Sequence, residues 1–257
     1  MSGKILECTG LTKIFSYGKK SPLVAVDSVS LSVRKGECYG LVGESGSGKT
    51  TLGNMICALE NADSGKILFD GADISLLKGK KLLDFRRKMQ VIFQDPYATL
   101  NPKHRIGSII EEPLKIHRIG ESHAERLKLV NEMRSLVGLP ADILEKFPSE
   151  LSGGQRQRVA VASAMILRPE FVVCDECVSS LDVLIQAQIL NLLKEMQKTL
   201  KLTYLFISHN LNVVAYMADR IGVMYRGKII EEQPTSELIR NPMHPYTKKL
   251  LESADLN

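Results

Sequence analysis

The chain has no run of apolar residues long enough to cross a membrane. The longest, Val159 to Leu167, spans nine residues and includes a serine, against the roughly 18 that a membrane-spanning helix needs. The N-terminus, Met-Ser-Gly-Lys-Ile, lacks the apolar stretch of a secretory signal, so the expected location is cytosolic. Charge of one sign is also scarce. The formal net charge is only +5, and the basic clusters Lys78 to Lys81 and Arg86 to Lys88 are short and interrupted, which reads as solvated surface and not as a nucleic-acid-binding stripe. The five cysteines are odd in number and irregularly spaced, which argues against a disulfide framework. Cys174-Asp-Glu-Cys177 is formally C-x-x-C, but no second such pair or histidine pair completes four zinc ligands.

At 257 residues the chain is long enough for one large α/β domain with a real hydrophobic centre. Lys4 to Cys8 and Val29 to Val33 read as strands, the second with period-2 alternation. The polar stretch Ser16 to Pro22 between them reads as an exposed turn. Cys38 to Val42 reads as a buried strand, Thr51 to Leu59 as a helix, and Gly65 to Gly71 as a glycine-bounded strand. These pieces suggest an antiparallel β layer beside an α/β core. From Pro96 to Leu151 the pattern turns helical, with five prolines and no convincing strand. Within that stretch Ser122-His-Ala-Glu125 has the form of a capping box, and Leu127, Val130, Met133, Leu136 and Val137 follow at helical spacing. Afterwards Phe171 to Cys174 reads as a strand, Asp182 to Leu200 as a helix and Thr203 to Ile207 as a strand, implying a parallel crossover. In that helix Ile185, Ile189, Leu192, Leu193, Met196 and Leu200 share one face and are assigned to the core. Ile221 to Glu231 reads as a hairpin turning at Arg226-Gly227, followed by a short helical tail.

The chemistry begins at Gly43-Glu-Ser-Gly-Ser-Gly-Lys49-Thr50, which fits G-x-x-x-x-G-K-[ST] between a strand and a helix. Backbone N–H groups of such a loop cradle phosphates, the lysine reaches the outer ones, and the hydroxyl serves Mg²⁺. A helix opening straight after the loop adds unpaired N–H groups and partial positive charge. A second carboxylate is then required, and Asp175 emerges at the C-terminal end of an apolar strand, where parallel sheets bind ligands. Glu176 follows it, placed for a general base toward a water aimed at the γ-phosphate. An ordinary surface Asp-Glu pair is the competing reading.

Leu151-Ser-Gly-Gly-Gln155 resembles the signature sequence of ATP-binding cassette (ABC) proteins, and with the other motifs the resemblance covers essentially the whole chain. A serine, two glycines and a glutamine opening the helix Arg156 to Leu167 provide a second helix N-terminus suited to a γ-phosphate. The resemblance implies a P-loop NTPase fold: a RecA-like core with an antiparallel β subdomain (about 1–95 and 166–230), a helical signature-bearing subdomain (about 96–165) and a C-terminal tail (about 231–257). It implies a head-to-tail dimer in which Ser152, Gly153, Gly154 and Gln155 of one subunit cover the ATP held by Gly43, Glu44, Ser45, Gly46, Ser47, Gly48, Lys49, Thr50 and Thr51 of the other. By the same resemblance Gln94 touches Mg²⁺ and the attacking water, and Thr50, Gln94 and Asp175 form the Mg²⁺ set. His209 is the switch histidine, a γ-phosphate sensor, and Glu176, His209 and Gln94 are the catalytic group. Ser180 and Asp182 lie in the interface loop. Phe15 stacks on adenine, with Tyr17 as a rival. Departures are Asn210, where the family often has aspartate, Ser180, where alanine is usual, and Cys177, uncommon at its place; none removes a charge needed for phosphoryl transfer.

Phe93 to Pro102 and Asn241 to Leu251 are similar to the oligopeptide, dipeptide and nickel branch of bacterial importers. The resemblance implies an ATPase subunit powering import of peptides, nickel or metal chelates. It also implies a second cassette subunit (a paralogue or a second copy), two separate membrane permease subunits, and an extracytoplasmic binding protein that contacts it only indirectly. No nucleic-acid partner is implied, and the expected location is the cytoplasmic face of the membrane. The longer members of the branch carry a C-terminal extension that this sequence does not show. The alternatives are a soluble cassette ATPase not coupled to transport, and a zinc or thiol-redox protein using Cys174 and Cys177.

Overall fold

A computed structural model describes residues 3–16 and 22–254. The chain divides into two compact units, residues 1–82 with 202–257 and residues 83–201. In the first unit β1 (Lys4–Phe15), β2 (Leu23–Arg34), β4 (Ser64–Phe69) and β5 (Ala72–Asp73) form an antiparallel sheet in the order β2-β1-β4-β5. β1 and β2 are twelve residues each, much longer than the short alternating runs in the sequence suggest. Bulges between Cys8 and Leu11 and on either side of Lys13 break the period-2 pattern that would have revealed their full length.

The same unit holds β3 (Cys38–Val42), flanked on both sides by parallel partners, β8 (Thr203–Ser208) and β9 (Arg220–Tyr225). Every residue of β3 and β8 is buried, the continuous apolar run expected of a strand covered on both faces. β10 (Lys228–Pro234) returns antiparallel to β9 through the Arg226-Gly227 turn. The helices of the unit are α1 (Lys49–Ile56), α8 (Leu211–Met217), α9 (Thr235–Arg240) and α10 (Pro245–Ser253). α1 begins two residues before the expected Thr51, inside the loop motif, and ends at Ile56, because Ala58 turns left-handed at φ 52°.

α2 (Gly79–Lys88) carries Lys80, Lys81 and Arg86 to Lys88 on exposed positions around the single buried Phe85, with Lys78 exposed just before it. The second unit pairs β6 (Met89–Ile92) with β7 (Phe171–Asp175) in parallel. Its helices are α3 (Pro96–Thr99), α4 (Ile106–Ile116), α5 (His123–Leu136), α6 (Gly153–Met165) and α7 (Val183–Leu200), and among the described residues no strand falls between 96 and 151. Ser122 caps α5 through Glu125 N–H, but the Glu125 carboxylate reaches back to Glu121 N–H instead of Ser122, one residue outside the expected box. On α5, Val130, Met133 and the following Val137 are buried, while Leu127 and Leu136 are exposed, so the core face is narrower than the spacing suggests. On α7, Ile189, Leu192, Leu193 and Met196 are buried and Ile185 and Leu200 only half-buried. Among the described residues no helix is long and apolar enough to cross a membrane.

Candidate functional site

The surroundings of the loop after β3 fix its shape. The loop after Val42 runs between the carbonyl of Met224 on β9 and that of Ala25 on β2. A methyl group at Gly43 would lie 2.1 Å from Met224 O, and one at Gly48 would lie 2.1 Å from Ala25 O and 2.8 Å from Met224 Cε. Gly48 adds φ 104° at the N-cap of α1, a conformation that L side chains rarely adopt. The hairpin turn braces the loop from a third side, Gly227 N–H donating to Ser47 O at 2.9 Å.

Lys49 is 4% exposed. Its ammonium donates to Gly43 O at 2.7 Å, Glu44 O at 2.9 Å and Ser47 Oγ at 3.4 Å, so a cation lies across the loop. Phosphate oxygens are stronger acceptors for an ammonium than these, and the first-turn N–H groups of α1 add further donors. Thr50 is exposed and Thr51 half-buried in that first turn, while Glu44, Ser45 and Gly46 line the exposed rim. β8 runs parallel to β3 with Ser208 beside Val42, so His209 and Gly43 leave neighbouring strand ends together. His209 is exposed there. Asn210 caps α8, its Oδ1 accepting from Asn212 N–H at 3.0 Å and Val213 N–H at 3.4 Å; an asparagine therefore keeps the cap an aspartate would supply. Phe15 is half-buried at the end of β1 with the Lys13 ammonium 5.3 Å from its ring centre. Its rival Tyr17 lies outside the described residues.

The second unit repeats the strand-end logic. Ile92 pairs with Cys174 in the parallel β6–β7 ladder, so two residues further on Gln94 and Glu176 emerge from adjacent strands, next to Asp175. Asp175 is 8% exposed, Glu176 half-buried and Gln94 exposed. Glu176 has φ 49°, uncommon for a non-glycine residue and frequent where structure fixes a functional side chain. Its carbonyl accepts from Ser179 N–H at 3.1 Å and Ser179 Oγ at 2.9 Å, which holds the turn. Cys177 is buried. Ser180 and Asp182 are exposed, and Asp182 caps α7 by accepting from Ile185 N–H at 3.0 Å.

The signature stretch opens α6 at Gly153, three residues earlier than expected, because Ser152 and Gln155 form a reciprocal capping box: Gln155 N–H to Ser152 Oγ at 3.3 Å and Ser152 N–H to Gln155 Oε1 at 3.1 Å. Gly154 is buried, and a Cβ there would sit 2.7 Å from Ile185 Cγ2; Gly153 is exposed with only Leu181 near, at 3.8 Å. The cap and the second glycine are thus used within the unit, while Ser152 and Gly153 remain at the surface. Arg156 fixes the turn before the helix through Pro148 O at 2.7 Å and stacks on the exposed Tyr97 ring at 4.1 Å. In the first unit the structure adds a residue that the motifs did not single out: Tyr246 on α10, whose hydroxyl accepts from Glu44 N–H of the loop at 3.0 Å.

Each unit therefore carries one strand-end cluster: the phosphate loop with His209 in the first, and Gln94, Asp175 and Glu176 with the signature helix in the second. Residues 26–179 match the family model described as ABC transporter. The whole chain is 49% identical to 84% of the oligopeptide transport ATP-binding protein OppF of Bacillus subtilis (strain 168). Over 97% of its length it is 48% identical to 81% of the dipeptide transport ATP-binding protein DppF of Lactococcus lactis subsp. cremoris (strain MG1363). Among solved structures, 90% of the chain superposes on 98% of the ATP-binding cassette MJ0796, a dimeric post-hydrolysis state bound to ADP and Pi, with TM-score 0.80 and 28% identity.

Proposed function

Because the chain belongs to the ABC transporter family and is an ABC-type ATPase, we propose that it is the ATP-hydrolysing subunit of a peptide importer, working on separate membrane permease subunits at the cytoplasmic face of the membrane. The observation that carries this reading is end-to-end similarity to oligopeptide and dipeptide transport ATP-binding proteins in a chain that carries Lys49, Asp175 and Glu176 in its two strand-end clusters. Both relatives are named for peptides, and neither name favours nickel or metal-chelate import.

The site reading follows the geometry of each unit. Gly43 to Thr51 bind the phosphates, Lys49 exchanging its loop carbonyls for phosphate oxygens, and Phe15 lies against the adenine. The donors Thr50 Oγ, the Gln94 amide and the Asp175 carboxylate are hard oxygen groups, few in number, as suits an ion held mainly by phosphates and water. When bound there, Mg²⁺ neutralises developing charge on the phosphates. Glu176 receives the proton of the attacking water, and its left-handed, doubly bonded turn fixes the carboxylate's origin. His209 and Gln94 orient that water against the γ-phosphate. Ser152 to Gln155 close over the ATP of a second cassette subunit, with Ser180 and Asp182 in the interface loop, residues 96–165 acting as the helical arm, 1–95 with 166–230 as the core, and 231–257 as the tail. Positioning and charge stabilisation supply most of the rate.

The test is uptake of a labelled tetrapeptide in cells lacking the gene, complemented with the wild-type chain or Glu176→Gln. The reading expects wild type alone to restore uptake, and the purified variant to bind ATP while turning over on the order of 100-fold more slowly, the scale of a lost general base. Unchanged peptide uptake in the deletion strain would overturn the transport assignment. Near-normal hydrolysis by the variant would remove Glu176 from its role.

A further inference from the structure

Residues 241–253 reach the Gly43 to Thr50 loop through Tyr246. Glu231 is buried on β10, and its carboxylate accepts from Met243 N–H at 2.8 Å, His244 N–H at 3.0 Å and Gln233 Nε2 at 2.8 Å. Burial disfavours its charged form, but those donors outweigh burial and hold the carboxyl below its ordinary value. The segment is thereby pinned just before α10, where His244 Nδ1 caps the helix through Tyr246 N–H at 3.1 Å. Its far end is tied to α8 by Asn212 Nδ2 donating to Ala254 O at 2.9 Å. Between these anchors the Tyr246 ring lies 4.3 Å from that of Tyr225, and its hydroxyl meets the loop at Glu44 N–H.

The bond falls on one particular peptide unit. The Gly43–Glu44 amide donates its N–H to Tyr246 and offers its carbonyl, Gly43 O, to Lys49. Resonance makes that unit planar, so the two bonds together fix its rotation. When the Lys49 ammonium is drawn toward phosphate, the carbonyl loses that donor, and the tyrosine is the restraint left. Burial pushes the Tyr246 phenol up, which favours its neutral hydroxyl form.

We propose that residues 241–253 form a strap that holds the phosphate loop in its nucleotide-binding form, with Tyr246 as a positioning residue acting on the Gly43–Glu44 peptide. This rests on the reading that Gly43 to Thr51 bind ATP. The experiment compares wild type and Tyr246→Phe, which keeps the ring on Tyr225 and deletes only the hydroxyl. Affinity for a fluorescent ATP analogue is measured together with KM, kcat and the thermal midpoint without nucleotide. Loss of one neutral hydrogen bond predicts roughly three- to ten-fold weaker binding and a KM raised by the same factor, with kcat unchanged and the nucleotide-free midpoint lowered only slightly. Glu231→Gln, which loosens the pin, shifts affinity in the same direction. If wild type binds the analogue and Tyr246→Phe binds it equally well, the strap is overturned while the ATP site stands. A lowered nucleotide-free midpoint with unchanged KM makes the tyrosine merely structural and also overturns the proposal. Absence of binding by wild type would overturn the ATP reading beneath it.

Discussion

Gly48→Ala isolates the geometric demand behind the proposed phosphate cradle. Two costs combine at this position. The first is φ 104°, which for an L residue is on the order of 1–3 kcal/mol. The second is collision: the added methyl would lie 2.1 Å from Ala25 O and 2.8 Å from Met224 Cε. The methionine tip can swing aside, but the carbonyl belongs to β2, which pairs with β1 along most of its length, so the loop has to move instead by about 1 Å; overpacking of this kind adds about 1–3 kcal/mol. A loop displaced from its phosphate-binding form by about 3–5 kcal/mol loses more than about 100-fold in nucleotide affinity at 1.4 kcal/mol per factor of ten. Gly46→Ala is the internal control for stability, because it shares a positive φ of 79° but its methyl meets nothing within 4 Å. The nucleotide-free melting temperature should therefore fall more for Gly48→Ala than for Gly46→Ala, and isothermal titration with ATP should detect little binding by the former. Wild-type affinity in Gly48→Ala, or equal destabilisation by the two substitutions, would refute the steric reasoning.

Further expectations concern the second unit. Glu111 on α4 is 6% exposed and paired with Lys115, His123 and Arg126 at 2.8–3.1 Å; burial raises its pKa, but the three partners outweigh that and hold it at about 2 against an ordinary 4.5. A depressed carboxyl stabilises the fold fully above the unfolded value, so that stability should be lost as pH falls from about 4.5 through about 2, and Glu111→Gln should flatten the acid limb of a thermal-melt pH series. Gly154→Ala should destabilise by about 1–3 kcal/mol because Ile185, β-branched and stiff, stands 2.7 Å from the new methyl, whereas Gly153→Ala meets only Leu181 at 3.8 Å and should melt like wild type; equal melting temperatures would sink the argument.

What the sequence displays best is chemistry tied to a strand end. Cys38–Val42 and the Phe171 strand are legible because burial on both faces leaves a continuous apolar run bounded by the motif itself. The placement of the Gly43 loop, Asp175 and Glu176 at strand ends follows from those strands without any further contact. Helix starts were less legible: α1 and α6 both begin inside glycine-bearing motifs, where the residues look like loop but the backbone is already helical. β1 and β2 were seen only in part because bulges shift their alternation. The brace at Tyr246 was hidden for a different reason. Its partner is a backbone N–H 202 residues away, and a backbone donor leaves no mark in a sequence. The Asn241 to Leu251 stretch drew notice only by resemblance, whereas its anchoring on Glu231 appears once the fold brings β10 beneath it.

The central claim is that each ATP is completed by two subunits, the phosphate loop of one and Ser152 to Gln155 of the other, and mixed dimers of differently tagged copies test it most directly. One preparation pairs a Lys49→Ala copy with a Ser152→Phe copy; the other pairs a copy carrying both changes with a wild-type copy. If sites form across the interface, the first dimer concentrates both defects in one site and keeps the other whole, so it should hydrolyse ATP at up to half the wild-type rate, while the second has a defect in each site and should be inactive. The reverse pattern, activity only in the dimer with an untouched copy, would contradict the account.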